Sequence, residues 1–475
     1  MGPSVLQGLA PAAVFTVFAQ LCAIPHGSGN TEKITAYCLA YARRSGLACE
    51  SDRFGNVIIR KSASPGRGDR PPVILQGHLD MVCEQEADCR KDMTEEGLDL
   101  FVDGDLIGAH GTTLGGDDGI AVAMALAILA DDTLPHPPLE VLFTTDEETG
   151  MDGAQGLDVS RLTGRTLINM DSETEGVLTV GCAGGARAEL GLDLTPQPAA
   201  GDAVTVTVDG LIGGHSGTEI DKGRQNANIL LGRLLGTLPE GYRLVSLCGG
   251  QKDNAIPRRA VCCLIPAPGT DVSAAAAAFA KENLVAVDPG LTVTVEAAKT
   301  PAAALTASDS RRVAELLCTA PNGVQAMSTD IPGLVQTSLN LGVLRLADGA
   351  FRATFSVRSS KTAEKAALLD TLSGIAKRFG GVCTTHGHYP AWEYRPQSHL
   401  RDTMVRVFTD LYGHPPVVET IHAGLECGLF SDRMPGLDAV SLGPDMQAIH
   451  TPGERLSISS TARTYDYVCR VLAEL

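Results

Sequence analysis

Histidine and acidic residues that could bind metal ions follow several short apolar segments of the chain. They are His78 and Asp80 after segment 73–76, Glu147 and Glu148 after 139–145, Asp171 after 167–170, and His450 after 438–442. Imidazole and carboxylate ligands without cysteine are typical of catalytic zinc, manganese or cobalt sites, whereas structural zinc sites are rich in cysteine. One such acidic residue alone is commonly a helix cap or a solvated loop charge. The prediction of a catalytic metal site therefore depends on these residues lying together.

Asp117 stands in the glycine-rich segment 115–119, directly before an apolar segment with a helical pattern, 120–129. A carboxylate at the start of a helix can bridge two cations. Two metal ions about 3.5 to 4 Å apart polarise a carbonyl group and lower the pKa of a bridging water. We therefore predict that Asp117 is a bridging ligand.

Two pairs of acidic and histidine residues have spacings that suggest a division of work. Glu147 and Glu148 are adjacent, so their side chains point in different directions, and one can bind metal while the other serves as general base. His78 and Asp80 are two residues apart on a predicted strand, which places both side chains on one face. Asp80 can then orient the imidazole of His78.

The segments that carry these residues predict an α/β fold. Between residues 71 and 170, continuously apolar strands alternate with helical patterns, as expected for a mostly parallel sheet with helices on both faces. Such sheets bind ligands at the edge where the carboxyl ends of the strands lie. The candidate ligands can therefore converge at that edge.

The length and the changes of pattern predict two domains. A chain of 475 residues exceeds what one compact core usually organises. We predict a catalytic α/β domain formed by residues 1–184 and 390–475. An inserted α+β lid domain, 185–389, interrupts it and has a usual domain size.

Composition excludes several classes of function. The formal net charge is −18, and no basic patch offsets the repulsion of a phosphate backbone, so nucleic-acid binding is excluded. No apolar stretch is long enough to span a membrane, and the first thirty residues lack the basic region of a signal peptide. The 13 cysteines are odd in number and include no C-x-x-C pair, which predicts reduced thiols and a cytoplasmic protein.

Taken together, the motifs resemble those of the M20 metallopeptidases and, within them, the aminoacyl-histidine dipeptidases. The resemblance covers nearly the whole chain. It is carried by Gln-Gly-His-Leu-Asp-Met-Val-Cys (76–83), Thr-Thr-Leu-Gly-Gly-Asp-Asp-Gly-Ile (112–120), Thr-Thr-Asp-Glu-Glu-Thr-Gly (144–150), Asn-Met-Asp-Ser-Glu (169–173), Gly-Gly-His-Ser-Gly (213–217) and Ile-His-Ala-Gly-Leu-Glu-Cys-Gly-Leu (421–429).

The resemblance implies a role for each candidate residue. His78, Asp117 and Asp171 would hold one divalent cation, and Asp117, Glu148 and His450 would hold another. Glu147 would be the general base. In the lid, His215 would steady the scissile carbonyl oxygen, often across a dimer interface, while Asn254 and Arg358 would bind the terminal carboxylate of the substrate. The lid often dimerises in this family, so a homodimer is expected.

The implied activity is metal-dependent hydrolysis of dipeptides by a metal-activated water. Substrates would be Xaa-His dipeptides such as β-alanyl-histidine and other short unblocked dipeptides, although the preference for histidine rests on the resemblance alone. We expect two zinc ions, but manganese and cobalt suit the same ligands. An N-acyl amino acid deacylase and a non-catalytic peptide-binding protein are the alternatives. Asp118 stands where many relatives have asparagine, and no role is assigned to His422 or Glu426.

Overall fold

The computed structural model describes residues 5–475. Two compact units divide the chain. Unit 1 consists of the chain up to Gly181, Tyr394–Thr420 and Leu425–Leu475, and unit 2 consists of Cys182–Glu393 and Ile421–Gly424. These boundaries lie within a few residues of 184 and 390, apart from the short segment 421–424. That the inserted part acts as a lid stays a prediction.

Residues 5–475 form eleven α-helices. In chain order they are α1 (Ala12–Cys22), α2 (Glu32–Arg44), α3 (Gly116–Ala130), α4 (Asp152–Gly156), α5 (Ala227–Thr237), α6 (Val272–Asn283), α7 (Ala307–Thr319), α8 (Thr362–Arg378), α9 (His399–Tyr412), α10 (Glu426–Arg433) and α11 (Ile458–Glu474). None of them, within the described residues, is long and apolar enough to cross a membrane.

The longest strands of the same part of the chain lie in unit 2. In chain order they are β1 (Ala48–Ser51), β2 (Val57–Lys61), β3 (Val73–His78), β4 (Leu100–Asp103), β5 (Leu106–Ala109), β6 (Leu139–Thr144), β7 (Thr166–Asn169), β8 (Val177–Cys182), β9 (Gly184–Asp193), β10 (Gln197–Pro198), β11 (Ala203–Asp209), β12 (Gly214–His215), β13 (Arg243–Gly249), β14 (Ala255–Ile256), β15 (Ala260–Ile265), β16 (Thr292–Ala298), β17 (Ala303–Ala304), β18 (Gly323–Met327), β19 (Val335–Ala347), β20 (Ala350–Ser359), β21 (Val382–Tyr389), β22 (Val417–Ile421), β23 (Asp438–Ser441), β24 (Met446–Gln447) and β25 (Arg455–Ser457).

Unit 1 is built on an eight-stranded sheet in the order β1-β2-β6-β3-β7-β23-β8-β22. The central strands β6, β3, β7 and β23 are parallel to one another, while β1, β2 and β8 pair antiparallel with their neighbours. The predicted α/β class and the parallel centre are confirmed. Because parallel strands end at the same edge, the residues that follow β3, β6 and β7 are brought side by side.

Helix α3 packs against β3 and α1 in the core of unit 1. Ile120, Ala121 and Val122 point in different directions from the helix axis, and each is 0% exposed. A helix that is apolar all round is stable only when it is buried. The residues at its start are therefore held by a rigid element.

Unit 2 is built on a nine-stranded sheet whose order is β16-β11-β15-β13-β19-β20-β9-β21, with β18 paired to β19. All the strand pairs recorded in it are antiparallel. Helices α5 to α8 pack against the sheet, and their apolar side chains form one buried cluster with those of the strands. An antiparallel sheet can cover one face with helices and leave the other solvated. This arrangement matches the predicted α+β insertion.

Candidate metal centre

The predicted metal ligands all lie at the carboxyl-end edge of the unit 1 sheet. His78 ends β3, Glu148 and Asp171 follow β6 and β7, Asp117 lies in the first turn of α3, and His450 lies between β24 and β25. The structure therefore brings together side chains from segments that are as much as 333 positions apart.

His78 is 1% exposed and lies among three carboxylates. Its Nε2 atom is 3.1 Å from Oδ1 of Asp117 and 3.7 Å from Oδ1 of Asp171. Its Nδ1 atom is 3.0 Å from the carbonyl oxygen of Asp80 and 3.5 Å from Oδ1 of the same residue. Burial lowers the pKa of the imidazole, but the neighbouring carboxylates of Asp117, Asp171 and Asp80 outweigh burial and raise it well above the usual value.

His450 occupies the other side of Asp117. Its Nε2 atom is 3.1 Å from Oδ2 of Asp117 and 2.9 Å from Oε1 of Glu148. The adjacent carboxylates of Asp117 and Glu148 raise the pKa of His450 to about 10. The two oxygens of Asp117 thus face two different imidazoles, which is the arrangement that a bridging carboxylate requires.

Three groups of these side chains are close enough to share an ion. The ligand atoms within each group lie within 4.8 Å of one another, and the groups are His78, Asp118 and Asp171; His78, Glu147 and Glu148; and Asp117, Glu148 and His450. The last group is the set that the family resemblance implies for one ion. The first contains Asp118 where the resemblance implies Asp117, although Oδ1 of Asp117 also lies beside His78.

The chemistry of these groups suits divalent cations. Several carboxylates share a small, largely buried volume, and such charges are costly unless they are compensated. Oε1 of Glu148 is buried and accepts no hydrogen bond of good geometry among the described residues, although His450 Nε2 is 2.9 Å away. Nitrogen and oxygen donors of this kind are the ligands of zinc, manganese and cobalt. The residues therefore fit a pair of metal ions.

Asp80 organises the segment that follows β6. Its carboxylate accepts hydrogen bonds from the Ser28 hydroxyl at 2.7 Å, the Glu147 N–H at 3.1 Å and the Glu148 N–H at 3.3 Å. Burial raises the pKa of Asp80, but the hydrogen bonds from His78, Ser28 and Glu147 outweigh burial and hold the pKa below its usual value. One ionised carboxylate thus contacts both the His78 ring and the backbone of the Glu147–Glu148 pair.

Glu147 stands next to the candidate ligands. The residue before it, Asp146, has a φ of 56°, a left-handed conformation that aspartate adopts more readily than most residues. Burial raises the pKa of Glu147 to about 9; the charge of His78 opposes this rise, and the carboxylates of Asp171, Glu426 and Glu148 add to it. A carboxylate in this position is able to accept a proton near neutral pH once neighbouring positive charge offsets the repulsion.

A buried polar network connects the strands beneath the metal ligands. Glu426, at the start of α10, is 1% exposed and accepts hydrogen bonds from Gln76 Nε2 at 2.6 Å and Thr144 Oγ1 at 2.7 Å. Gln76 in turn accepts a hydrogen bond from Asn169 Nδ2 at 2.5 Å. Burial raises the pKa of Glu426 to about 8. The sequence analysis assigned Glu426 no role, although the residue lies in the motif at 421–429 that carries the family resemblance.

Glu454 is a second buried carboxylate that the sequence analysis did not single out. It is 2% exposed and accepts hydrogen bonds from the backbone of the segment before α3. It lies four residues after His450 in the chain, which is the only signal that the sequence offered.

The candidate substrate residues of unit 2 also lie near one another. His215 in β12 pairs with Ala255 in β14, and the Ser216 N–H donates to the carbonyl oxygen of Asn254 at 2.9 Å. Arg358 is 9% exposed and donates to the Tyr389 hydroxyl at 3.0 Å. Burial and the charge of Arg358 both lower the pKa of His215, which places Arg358 within electrostatic range of the imidazole.

The tautomer of His215 is set by a tight turn. Its Nδ1 atom accepts the backbone N–H groups of Gly217 at 3.3 Å and Thr218 at 3.1 Å. A neutral imidazole whose Nδ1 accepts must carry its proton on Nε2. His215 therefore presents Nε2–H as a hydrogen-bond donor.

His422 packs beside this group. Its Nε2 atom is 2.7 Å from the Ser338 hydroxyl. Burial, together with the charge of Arg358, lowers the pKa of His422 to about 4. His422 is therefore a neutral buried histidine in unit 2.

Comparisons with known proteins agree with the motifs. The model of peptidase family M20/M25/M40 matches residues 74–474. The chain is 38% identical over 481 residues to the cytosol non-specific dipeptidase of Escherichia coli, covering 99% of each protein. The crystal structure of aminoacylhistidine dipeptidase from Vibrio alginolyticus matches with a TM-score of 0.94 and 35% identity, covering 100% of this chain and 98% of that one.

A more distant solved structure shares the fold. Aminopeptidase PepT from Bacillus cereus matches with a TM-score of 0.57 and 15% identity over 98% of this chain and 99% of that chain. The architecture of both units is thus found among peptidases that have diverged widely in sequence.

Proposed function

Since this chain belongs to peptidase family M20/M25/M40, we propose that it is a metal-dependent dipeptidase. The observation that carries the proposal is the meeting of His78, Asp117 and His450 with acidic residues at one sheet edge. The relatives with the same overall fold are named as dipeptidases, which supports the same activity here.

The proposed ligand sets are those that the family resemblance implies, and the distances from Asp117 to His78 and His450 support them. His78, Asp117 and Asp171 hold one divalent cation, and Asp117, Glu148 and His450 hold the other. Zinc is our first choice, and manganese and cobalt suit the same donors. When bound, the cations polarise the scissile carbonyl and lower the pKa of water.

The side chains around the proposed ions have separate tasks. Glu147 accepts a proton from the attacking water and delivers it to the leaving amine. Asp80 is a positioning residue, because it contacts both the His78 ring and the backbone N–H groups of Glu147 and Glu148. The cleaved bond is the peptide C–N bond, and the water supplies the hydroxyl of the new carboxyl group.

Unit 2 supplies the contacts that the substrate needs beyond the reacting bond. We assign the Nε2–H of His215 to the scissile carbonyl oxygen, and its fixed tautomer supports this role. Arg358 and Asn254 bind the terminal carboxylate of the dipeptide, for which a guanidinium group is well shaped. A homodimer through unit 2 is part of the proposal, and His215 acts either in its own chain or across that dimer.

The substrate range proposed here is broad. One relative is named as non-specific and the other as acting on aminoacyl-histidine, so we propose unblocked dipeptides that include β-alanyl-histidine and other Xaa-His pairs. The name of the Escherichia coli relative also supports a cytosolic location.

A substrate panel tests the proposal against its alternatives. Release of free amino acids is measured from unblocked dipeptides, β-alanyl-histidine and N-acetyl amino acids, with metal-stripped protein reconstituted with zinc, manganese or cobalt. Cleavage of the unblocked dipeptides alone is the expected result. Cleavage of only the blocked amides would identify a deacylase, and metal binding without any cleavage would identify a peptide-binding protein.

A further inference from the structure

Glu454 connects the segment of His450 to the segment of Asp117. Oε2 of Glu454 accepts the backbone N–H groups of Leu114 at 2.7 Å and Gly115 at 3.1 Å. Oε1 accepts those of Gly116 at 2.8 Å and Asp117 at 3.3 Å. A single buried carboxylate thus binds four successive backbone groups, of which the last belongs to the proposed bridging ligand.

The loop is shaped closely around this carboxylate. Gly115 has a φ of 67°, and a Cβ atom there would lie 2.8 Å from Met81 Sδ. A Cβ atom on Gly116 would lie 3.2 Å from Oε1 of Glu454. The two glycines therefore let the backbone turn its N–H groups inward to the carboxylate.

The hydrogen bonds to Glu454 stabilise the backbone that carries Asp117. Hydrogen bonds from backbone N–H groups to a carboxylate are charge-assisted and stronger than neutral ones. If the carboxylate is removed, the buried N–H groups lose their acceptor, and this loss is costly unless the loop rearranges. A rearranged loop would move Asp117 relative to His450, whose Nε2 atom is now 3.1 Å from Oδ2 of Asp117.

We propose that Glu454 is a positioning residue that fixes Asp117 relative to His450 and so sets the affinity for the ion held by Asp117, Glu148 and His450. The inference rests on the metal site of the proposed function. Asp117 and His450 come from segments 333 positions apart. The hydrogen bonds of Glu454 hold these two segments together.

The variant that tests this role is Glu454→Gln. Glutamine has nearly the same shape, but its amide group offers one acceptor oxygen in place of two, and its NH₂ group meets backbone donors. Zn²⁺ is titrated into the metal-stripped full-length protein by isothermal titration calorimetry. We expect the affinity for one of two ions to fall about 10- to 100-fold, as is usual when a partner of a metal ligand is lost.

A double-variant comparison shows which ion is affected. With Asp171→Asn as the background, the remaining ion is the one near His450, and Glu454→Gln should weaken it by the same factor. With His450→Ala as the background, the remaining ion is still bound by Asp117, so Glu454→Gln should weaken it less than it weakens the ion near His450. An equal fall in both backgrounds would overturn the proposal, because Glu454 would then support the fold in general.

Glu140 provides a matched control. It is also buried, at 4% exposed, and accepts the backbone N–H groups of Thr163 and Gly164, but it lies near the start of β6, away from the site. Glu140→Gln should lower the Tm of the metal-free protein without changing either zinc affinity.

Wild-type zinc affinities in Glu454→Gln would overturn the proposal.

Failure of the proposed metal site and misfolding of the variant can both be distinguished from failure of the Glu454 proposal. If the wild-type protein binds no zinc at these residues, the metal site of the proposed function fails, whatever Glu454 does. If Glu454→Gln does not fold, Glu454→Asp keeps the charge but withdraws the oxygens by about 1.5 Å, one C–C bond. That variant should again weaken the ion near His450 more than the other ion, and unchanged affinities would contradict the proposal.

Discussion

At the scale of single residues, Glu147 carries the proton transfer of the proposed reaction. We expect Glu147→Gln to lower kcat by about 10²- to 10⁴-fold with little change in KM, because a general base contributes that much to the transition state. Steady-state kinetics on an unblocked dipeptide measures both constants. The exposed Glu95, which pairs with Lys33 at the surface, gives the control Glu95→Gln, which should keep normal turnover. Near-normal turnover of Glu147→Gln would exclude this residue as the base.

The two candidate histidine ligands predict release of protons on metal binding. In the metal-free protein the carboxylates around His78 raise its pKa well above the usual value, and those around His450 raise its pKa to about 10. Both imidazoles are therefore protonated at pH 7 and must lose the proton to bind a cation. Calorimetric titration with Zn²⁺ at pH 7, in buffers of different ionisation enthalpy, should show release of at least two protons per chain. Affinity should fall as the pH is lowered, and a heat independent of the buffer would contradict this account.

The proposed role of Arg358 predicts that substrate binding depends on the free terminal carboxylate of the dipeptide. Arg358→Gln should raise KM for a dipeptide by about 10- to 100-fold, because a hydrogen bond to a charged group is worth about 1.5–3 kcal/mol. The same variant should change the kinetics of the corresponding dipeptide amide little, since that substrate lacks the carboxylate. An equal loss on both substrates would show that Arg358 serves only the structure of unit 2.

The site residues that the sequence revealed differ from those that it did not reveal in the groups that they contact. His78 and Asp171 were predicted because a ligand-capable side chain directly after an apolar strand has a recognisable position. Glu454 and Glu426 were not, because their partners are backbone N–H groups and the side chains of Gln76 and Thr144. Only the folded chain brings such partners together.

At the scale of elements, Glu426 ties α10 to strands β3 and β6. Burial raises its pKa to about 8, so the native state holds a proton that the unfolded state releases near pH 4.3. A raised carboxyl pKa makes the folded state bind more protons, and its contribution to stability is lost as pH rises from about 4.3 to 8. Glu426→Gln cannot ionise, so the Tm of this metal-free variant should fall less steeply across that range than the wild-type Tm. Parallel Tm profiles from scanning calorimetry would contradict the prediction.

The elements of unit 1 were more predictable than those of unit 2. The apolar segments 139–145 and 120–129 correspond to β6 and α3, because strands and helices buried on all sides are continuously apolar. Strand β19 of unit 2 was not predicted. It carries buried polar residues such as Asn340, which donates to the carbonyl oxygens of Asp253 and Ala255, and these obscure the apolar pattern.

At the scale of the whole molecule, the similarity to dipeptidases extends over both units. The family model matches from residue 74 to residue 474, and thus includes every proposed ligand and the whole of unit 2. Sequence analysis predicted the order of the segments in the chain, since the motifs occur in both parts of unit 1. A homodimer stays a prediction, because association depends on the shape of a surface that has no periodic pattern in sequence.

The most direct test of the central claim is reconstitution of activity in the metal-stripped full-length protein. Hydrolysis of an unblocked dipeptide is followed while Zn²⁺, Mn²⁺ or Co²⁺ is added in steps, and bound metal is measured in the same samples. We predict no hydrolysis without metal and recovery that is complete at two ions per chain, as two-metal hydrolases require. Undiminished hydrolysis in protein shown to contain no metal would contradict the account.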